Sequence, residues 1–161
     1  MNAEEQKFTQ LVKENKSTIY TVCFMFSDDK AQVDDLFQEV LINLWKGFAG
    51  YKAESAQSTW VWKVALNTCI SADRKDKRRK NTEPLKVDID LYQDTDSDTR
   101  QVRALHNRIN KLQPFDRAIV LLWLENLSYD DIGAIVGISA KNVSVRLVRI
   151  KEELKKMTIN D

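Results

Sequence analysis

No glycine or proline interrupts the chain from Met1 to Lys46, and none occurs between Tyr51 and Glu83. All 161 residues together hold only four Gly and two Pro. A turn-rich sheet protein uses both residues often, because Gly supplies positive φ and Pro presets the turn. Their scarcity directs the chain toward helices. Apolar spacing agrees: Val33, Leu36, Phe37, Val40, Leu41, Leu44 and Trp45 recur at i, i+3, i+4, i+7, i+8, i+11 and i+12, one stripe of an amphipathic helix. Upstream, Phe8, Leu11, Val12, Ile19, Val22 and Cys23 predict a helix from Glu4 to the region of Phe26, closed by the polar stretch Ser27–Lys30. Gly47–Gln57 breaks the pattern, and Ser58 is the expected N-cap of a third helix over Thr59–Lys80.

A second group of helices follows a change of composition. Residues 81–99, NTEPLKVDIDLYQDTDSDT, carry one Lys against six acidic residues and little apolar content, the composition of a solvated linker. The flanking blocks are mildly basic: residues 1–80 hold 13 Lys/Arg and 11 Asp/Glu, and residues 100–161 hold 11 and 7. Val102–Leu112 then reads as a helix, and Pro114 suits the first position of the next, which runs to Glu125. Ser128 is the expected N-cap of a short helix with Asp131 three residues on; Gly137 suits the left-handed residue that ends it. Ser139 caps a last helix from Ala140 to the region of Lys156. The expected fold is therefore all-α: two small helical domains, 1–80 and 100–161, joined by a flexible acidic linker at 81–99, the C-terminal one a helix-turn-helix.

At 43% hydrophobic and 30% charged residues, the composition is that of a soluble protein with a core. No apolar run approaches the ~20 residues that span a bilayer. The start, MNAEEQKFTQ, lacks a basic segment followed by an apolar one, so no signal peptide is expected and the cytoplasm is the expected compartment. Cys23 and Cys69 sit far apart in apolar helical stretches, and the single His106 cannot complete a zinc set, so two buried free thiols are expected. No catalytic, metal or cofactor site is expected.

Three segments carry recognition chemistry. In LSYDDIGAIVGISAKNVSVRLVRIKEEL, Gly137 and Ile138 provide the turn and apolar plug that let two helices cross steeply. Ile132, Ile135 and Val136 face inward from the first helix, and Val143, Leu147, Ile150 and Leu154 from the second. Lys141, Asn142, Val145, Val148 and Arg149 then point outward, with Ser144 and Arg146 on the flanks, where basic and amide groups reach base edges and phosphates. A helical hairpin with a solvated basic face would share this pattern. The third helix ends in DRKDKRRK, with Trp60, Trp62, Lys63 and Asn67 upstream; interleaved aromatic and basic groups suit unstacked single-stranded DNA. A core role for the tryptophans and a solvated helix end fit those residues too. On the Val33–Trp45 helix, Asp35, Gln38, Glu39 and the apolar Ile42 lie opposite the stripe, a combination suited to a protein partner with a basic surface. Asp34, Asp35 and Glu39 have no complementary His or second acidic cluster, so they read as surface charge.

Taken together, the segments resemble the extracytoplasmic-function group of sigma-70 factors, the small two-domain initiation subunits of bacterial RNA polymerase. DDLFQEVLINLW is similar to the family's core-binding helix, and TWVWKVALNTCISADRKDKRR to its −10 element helix. LQPFDRAIVLLWLENLSYDDIGAIVGISAKNVSVRL resembles its −35 domain. The resemblance implies a non-catalytic specificity subunit that binds core polymerase through Asp35, Gln38, Glu39 and Ile42. It implies that the loop Tyr51–Ser58 and the helix after it hold the −10 element, with Trp60, Lys63, Asn67, Arg74, Lys77 and Arg78 on the DNA. Ser139, Lys141, Asn142, Ser144, Arg146 and Arg149 would bind the −35 element. The implied partners are core polymerase, promoter DNA and an anti-sigma factor, often membrane-anchored; no cofactor, metal or small-molecule substrate is implied.

Three positions depart from the family pattern. Gln57 stands where an aromatic is usual, Ser71 replaces a usual Asp, and Gly133 a usual Ala, which lowers helix propensity by roughly 1 kcal/mol. The competing reading is a helix-turn-helix transcriptional regulator whose N-terminal domain senses a ligand or dimerises. It accounts for the C-terminal segment and leaves the basic–aromatic helix unexplained.

Overall fold

Side-chain oxygens of Asn2, Asp29, Ser128 and Ser139 each start a helix by accepting a backbone N–H. The computed structural model describes residues 2–51, 56–79 and 97–160, with side chains described for 2–51, 56–75 and 104–157. Among them all regular structure is helical: α1 (Ala3–Met25), α2 (Lys30–Phe48), α3 (Gln57–Arg79), α4 (Ser97–Asn110), α5 (Pro114–Leu124), α6 (Tyr129–Val136) and α7 (Ala140–Asn160). The acidic strip expected as a linker lies outside the described residues up to position 96, and α4 begins at Ser97 rather than Val102. The chain divides into two compact units, α1–α3 and α4–α7.

In the first unit each of the three helices packs against the other two. Asp29 caps α2, its carboxylate accepting the Gln32 N–H at 2.6 Å, while the Gln32 side chain accepts the Asp28 N–H at 2.8 Å. This reciprocal cap fixes the tight reversal between α1 and α2. The core is Leu11, Ile19, Val22 and Cys23 of α1, Val33, Val40 and Leu44 of α2, and Val61, Ala65 and Cys69 of α3. One polar bond crosses it: the Asn43 amide donates to the Thr68 hydroxyl at 2.9 Å, and that hydroxyl donates to the Val64 carbonyl. Ser58 is not the cap of α3. The helix already starts at Gln57, and the Ala56 carbonyl accepts the Trp60 N–H, so Ser58 lies inside the first turn. Cys23 and Cys69 are buried free thiols. A hydrogen bond with Cys23, reinforced by burial, raises the Cys69 pKa far above that of an ordinary thiol. Cys69 therefore stays protonated and serves as an apolar core group.

In the second unit Pro114 takes the first position of α5. The buried Arg117 donates from its guanidinium to the carbonyls of Asn110 (2.9 Å) and Leu112 (3.2 Å), closing the end of α4 with positive charge. Asn126, at φ 65°, turns the chain out of α5 in the left-handed region that Asn tolerates. The Ser128 hydroxyl accepts the Asp131 N–H and starts α6; the Ser139 hydroxyl accepts the Asn142 N–H and starts α7. Gly137, at φ 86°, ends α6 as expected.

Gly133 has a different role from the one its helix propensity suggests. Its carbonyl accepts the N–H groups of both Gly137 (2.8 Å) and Ile138 (3.1 Å), which folds the turn back over α6. A Cβ at position 133 would collide with the Ile138 carbonyl oxygen. The glycine is needed for close approach, and its loss of helix propensity is the cost of that contact. Replacing Gly133 by Val is expected to destabilise the second unit by about 1–3 kcal/mol through overpacking against backbone. Thermal denaturation against an Ala134→Val control, at an exposed neighbour on the same helix, measures it. Equal stability of the two variants would contradict the close approach.

Candidate nucleic-acid interface

Burial of one stripe of α7 decides what its other side presents. Val143, Leu147 and Ile150 are buried against α5 and α6, and Leu154 is half-buried. Lys141, Asn142, Val145, Val148 and Arg149 are consequently exposed on the opposite face, as the helical wheel predicts, with Ser144 half-buried at its edge. The Ser139 oxygen is occupied as the cap of this helix. The outward face is thus a cationic and amide surface with two valines at its centre, on the second helix of a helix-turn-helix.

Arg146 behaves differently from its neighbours. Its guanidinium pairs with Asp116 of α5 at 3.1 Å and lies 4.7 Å over the Phe115 ring. The side chain is pinned sideways along the domain, where it aligns α7 on α5. Lys151 does the same five residues later, its ammonium 4.3 Å over the Trp123 ring. Neither partner was visible in the sequence, because both contacts join residues far apart in the chain.

On α3, Trp60, Lys63, Asn67, Ser71 and Arg74 follow one another at three- and four-residue steps and share one face. Asn67, Ser71 and Arg74 are exposed and Lys63 is half-buried, while Val61, Trp62, Ala65, Leu66 and Cys69 fill the core. The two tryptophans therefore divide: Trp62 is a core residue and Trp60 is half-exposed. Trp60 stacks on Tyr51, ring centroids 4.8 Å apart and 18° between planes. A Cβ on Gly47 would stand only 3.2 Å from the Trp60 ring, so that glycine makes room for the indole at the end of α2. Lys77 and Arg78 belong to α3, but their side chains lie outside the described residues, as do residues 52–55 of the preceding loop.

On α2, Asp35, Gln38, Glu39 and Ile42 are all exposed on one face, Ile42 at 52%. The face extends further than its sequence pattern indicates. Trp45, which the apolar stripe assigns to the core, is 44% exposed. Its ring meets Phe8 of α1 edge-on at 5.0 Å and runs nearly parallel to Phe48 at 6.5 Å. The acids of α2 thus border an apolar strip from Ile42 to Trp45. Among the described residues no helix is long and apolar enough to cross a membrane.

Comparison with known proteins gives matches in both units. Residues 11–79 match the family model for Sigma-70 region 2, and residues 102–154 the one for Sigma-70 region 4. The ECF RNA polymerase sigma factor SigE of Mycolicibacterium smegmatis is 25% identical over 154 residues, 91% of this chain and 59% of that protein. SigW of Bacillus subtilis, also an ECF RNA polymerase sigma factor, is 26% identical over 167 residues, 95% of this chain and 89% of that one. Two solved structures share the fold at 19% identity. The sigma factor RpoE of Bartonella quintana, in complex with the anti-sigma factor NepR, superimposes with a TM-score of 0.74 over 97% of this chain and 99% of that one. CnrH, in complex with the cytosolic domain of CnrY, gives 0.70 over 98% and 90%.

The Arg146 contacts carry their own test. Asp116→Ala should cost no more than about 1 kcal/mol of stability, because the Arg146 side chain is 37% exposed and solvent screens the pair. Arg146→Ala also removes the stem and the ring contact with Phe115, and should cost more. Thermal denaturation of both variants compares them; equal losses would mean the ring contact contributes nothing.

Proposed function

The chain belongs to the extracytoplasmic-function group of sigma-70 factors, and from that premise we propose that it directs core RNA polymerase to promoters by reading two separated DNA elements. The observation that carries this reading is the presence, in one chain, of two differently built surfaces. The α7 face is a rigid helix dressed with Lys141, Asn142 and Arg149, which suits duplex DNA in the major groove. The α3 face sets the half-exposed indole of Trp60 beside Lys63, Asn67 and Arg74, which suits unpaired bases and their backbone. A regulator that binds duplex DNA alone has no use for the second surface.

In this reading residues 1–80 form region 2, residues 81–99 the acidic linker, and residues 100–161 region 4. Asp35, Gln38, Glu39 and Ile42 dock on a basic surface of core polymerase, and the strip toward Trp45 enlarges the apolar contact. Trp60, Lys63, Asn67, Arg74, Lys77 and Arg78 line the path of the −10 non-template strand, where a flipped base would stack and hydrogen-bond. Tyr51 holds the Trp60 indole from behind. Ser139, Lys141, Asn142, Ser144 and Arg149 meet the −35 duplex. Arg146 completes that group by positioning α7, with its exposed portion available to a phosphate. The chain acts as a non-catalytic specificity subunit and works in the cytoplasm with the polymerase. The two solved relatives are each bound to a partner, and an anti-sigma factor, membrane-anchored or soluble, is the corresponding partner here.

Two variants separate the surfaces. Glu39→Lys combined with Ile42→Asp should abolish co-purification with core polymerase while leaving the melting temperature unchanged, since both side chains are exposed. Retained core binding would show that α2 is not the docking surface. Arg149→Ala should weaken holoenzyme binding to a −35-containing promoter about tenfold without changing core affinity, as loss of a base or phosphate contact does. An unchanged promoter affinity would remove α7 from the groove.

A further inference from the structure

Val145 and Val148 are the most exposed large apolar residues described in the chain, at 61% and 60%. They do not lie at an edge of the recognition surface. Lys141 and Asn142 precede them on the same face of α7, and Arg149 and then the exposed Glu152 follow, so the apolar pair lies between two cations with one carboxylate beyond it. A protein partner pressed onto this face would have to desolvate both cations as well as cover the valines. Duplex DNA satisfies all of them together. Its backbone takes the cations, and its major groove offers one apolar group, the thymine 5-methyl.

We propose that Val145 and Val148 are specificity-determining residues that read the 5-methyl groups of thymines at two adjacent A·T base pairs of the −35 element. This rests on the reading of α7 as the groove-entering helix. The side chains are suited to the task, because a helical valine is confined to essentially one χ1 rotamer and loses little freedom on contact. The spacing fits as well. Three residues of helix advance about 4.5 Å, close to the roughly 3.4 Å step between successive base pairs. Either strand can carry each methyl, so the requirement is for A·T pairs rather than for a particular run of thymines. Neither valine belongs to the polar and charged groups assigned to the −35 element from the family pattern. They would add discrimination where those groups supply affinity and register.

Replacing thymine by deoxyuridine removes the methyl and leaves the base pair and the rest of the groove intact. Holoenzyme reconstituted from the full chain and core polymerase selects a promoter from a randomised pool, and footprinting locates its −35 contact. Each thymine in that contact is then replaced singly by deoxyuridine. At two adjacent base pairs the replacement should weaken binding about fourfold, the equivalent of one buried methyl group. Val145→Ser should erase the thymine-over-uracil preference at one of them and Val148→Ser at the other. Both valines are exposed, so unchanged melting temperatures and core affinity verify the variants. A −35 footprint with indifference to every methyl would overturn the proposal and leave the groove reading standing. Retained methyl preference in both serine variants would do the same. Absence of any −35 footprint would instead overturn the groove reading itself, and the proposal with it.

Discussion

The turn between α6 and α7 depends on one close approach. The carbonyl of Ile138 passes so near to α6 that no side chain fits at Gly133, and the Gly133 carbonyl in turn receives two N–H groups from the turn. That contact fixes the crossing of the two helices. Once it is made, Ile132 and Leu147 become buried against the body of α5, and α7 has no freedom to roll. Rolling the helix by one residue, about 100°, would bury a valine or a cation in place of Leu147. The outward placement of Lys141, Asn142, Val145, Val148 and Arg149 therefore follows from packing on the opposite side, and the lateral ties of Arg146 to Asp116 and Lys151 to Trp123 hold the same orientation.

The first unit solves a different problem. Its α3 holds three helices together with one side while leaving an exposed polar and aromatic face on the other. Val61, Ala65 and Cys69 do the former, and the face from Trp60 to Arg74 the latter. Trp60 belongs to both. Seated against Gly47 and stacked on Tyr51, it is half-covered, so a base docking there in the proposed reading would meet an indole already supported on two sides. Pre-ordering of this kind lowers the entropy lost on binding.

Periodicity made most of the fold readable in advance. The faces of α2 and α7 follow from the spacing of apolar residues, and the caps at Ser128, Gly137 and Ser139 from residue types favoured at helix ends. What the pattern could not supply were contacts between residues distant in the chain. Trp45 sits in the apolar stripe of α2, yet it lies where α1 gives only partial cover through Phe8, so it remains accessible. Arg146 has the chemistry of a DNA contact, but Asp116, thirty positions earlier, takes one of its guanidinium nitrogens. Gly133 looked like a weakness because propensity treats a helix in isolation. Ser58 looked like a cap because Ser so often is, although the helix began before it. Trp45 and Arg146 depend on neighbours brought together by tertiary structure, while Gly133 and Ser58 depend on the local path of the chain, which residue type alone does not fix.

Two recognition surfaces in one chain also relax what each must achieve. Bound to polymerase, both units are held near the same promoter, and the second contact forms at a high effective concentration once the first is made. Each element can then be read with modest affinity, provided that both are present at a spacing the complex can span. In vitro transcription by the purified chain and core polymerase, on a template pool randomised across the whole upstream region, tests this most directly. The account predicts that active templates share two short sequence elements at one narrow separation, and that changing the separation abolishes initiation even when both elements are intact. Active templates that share a single element, or no initiation above core polymerase alone, would contradict it.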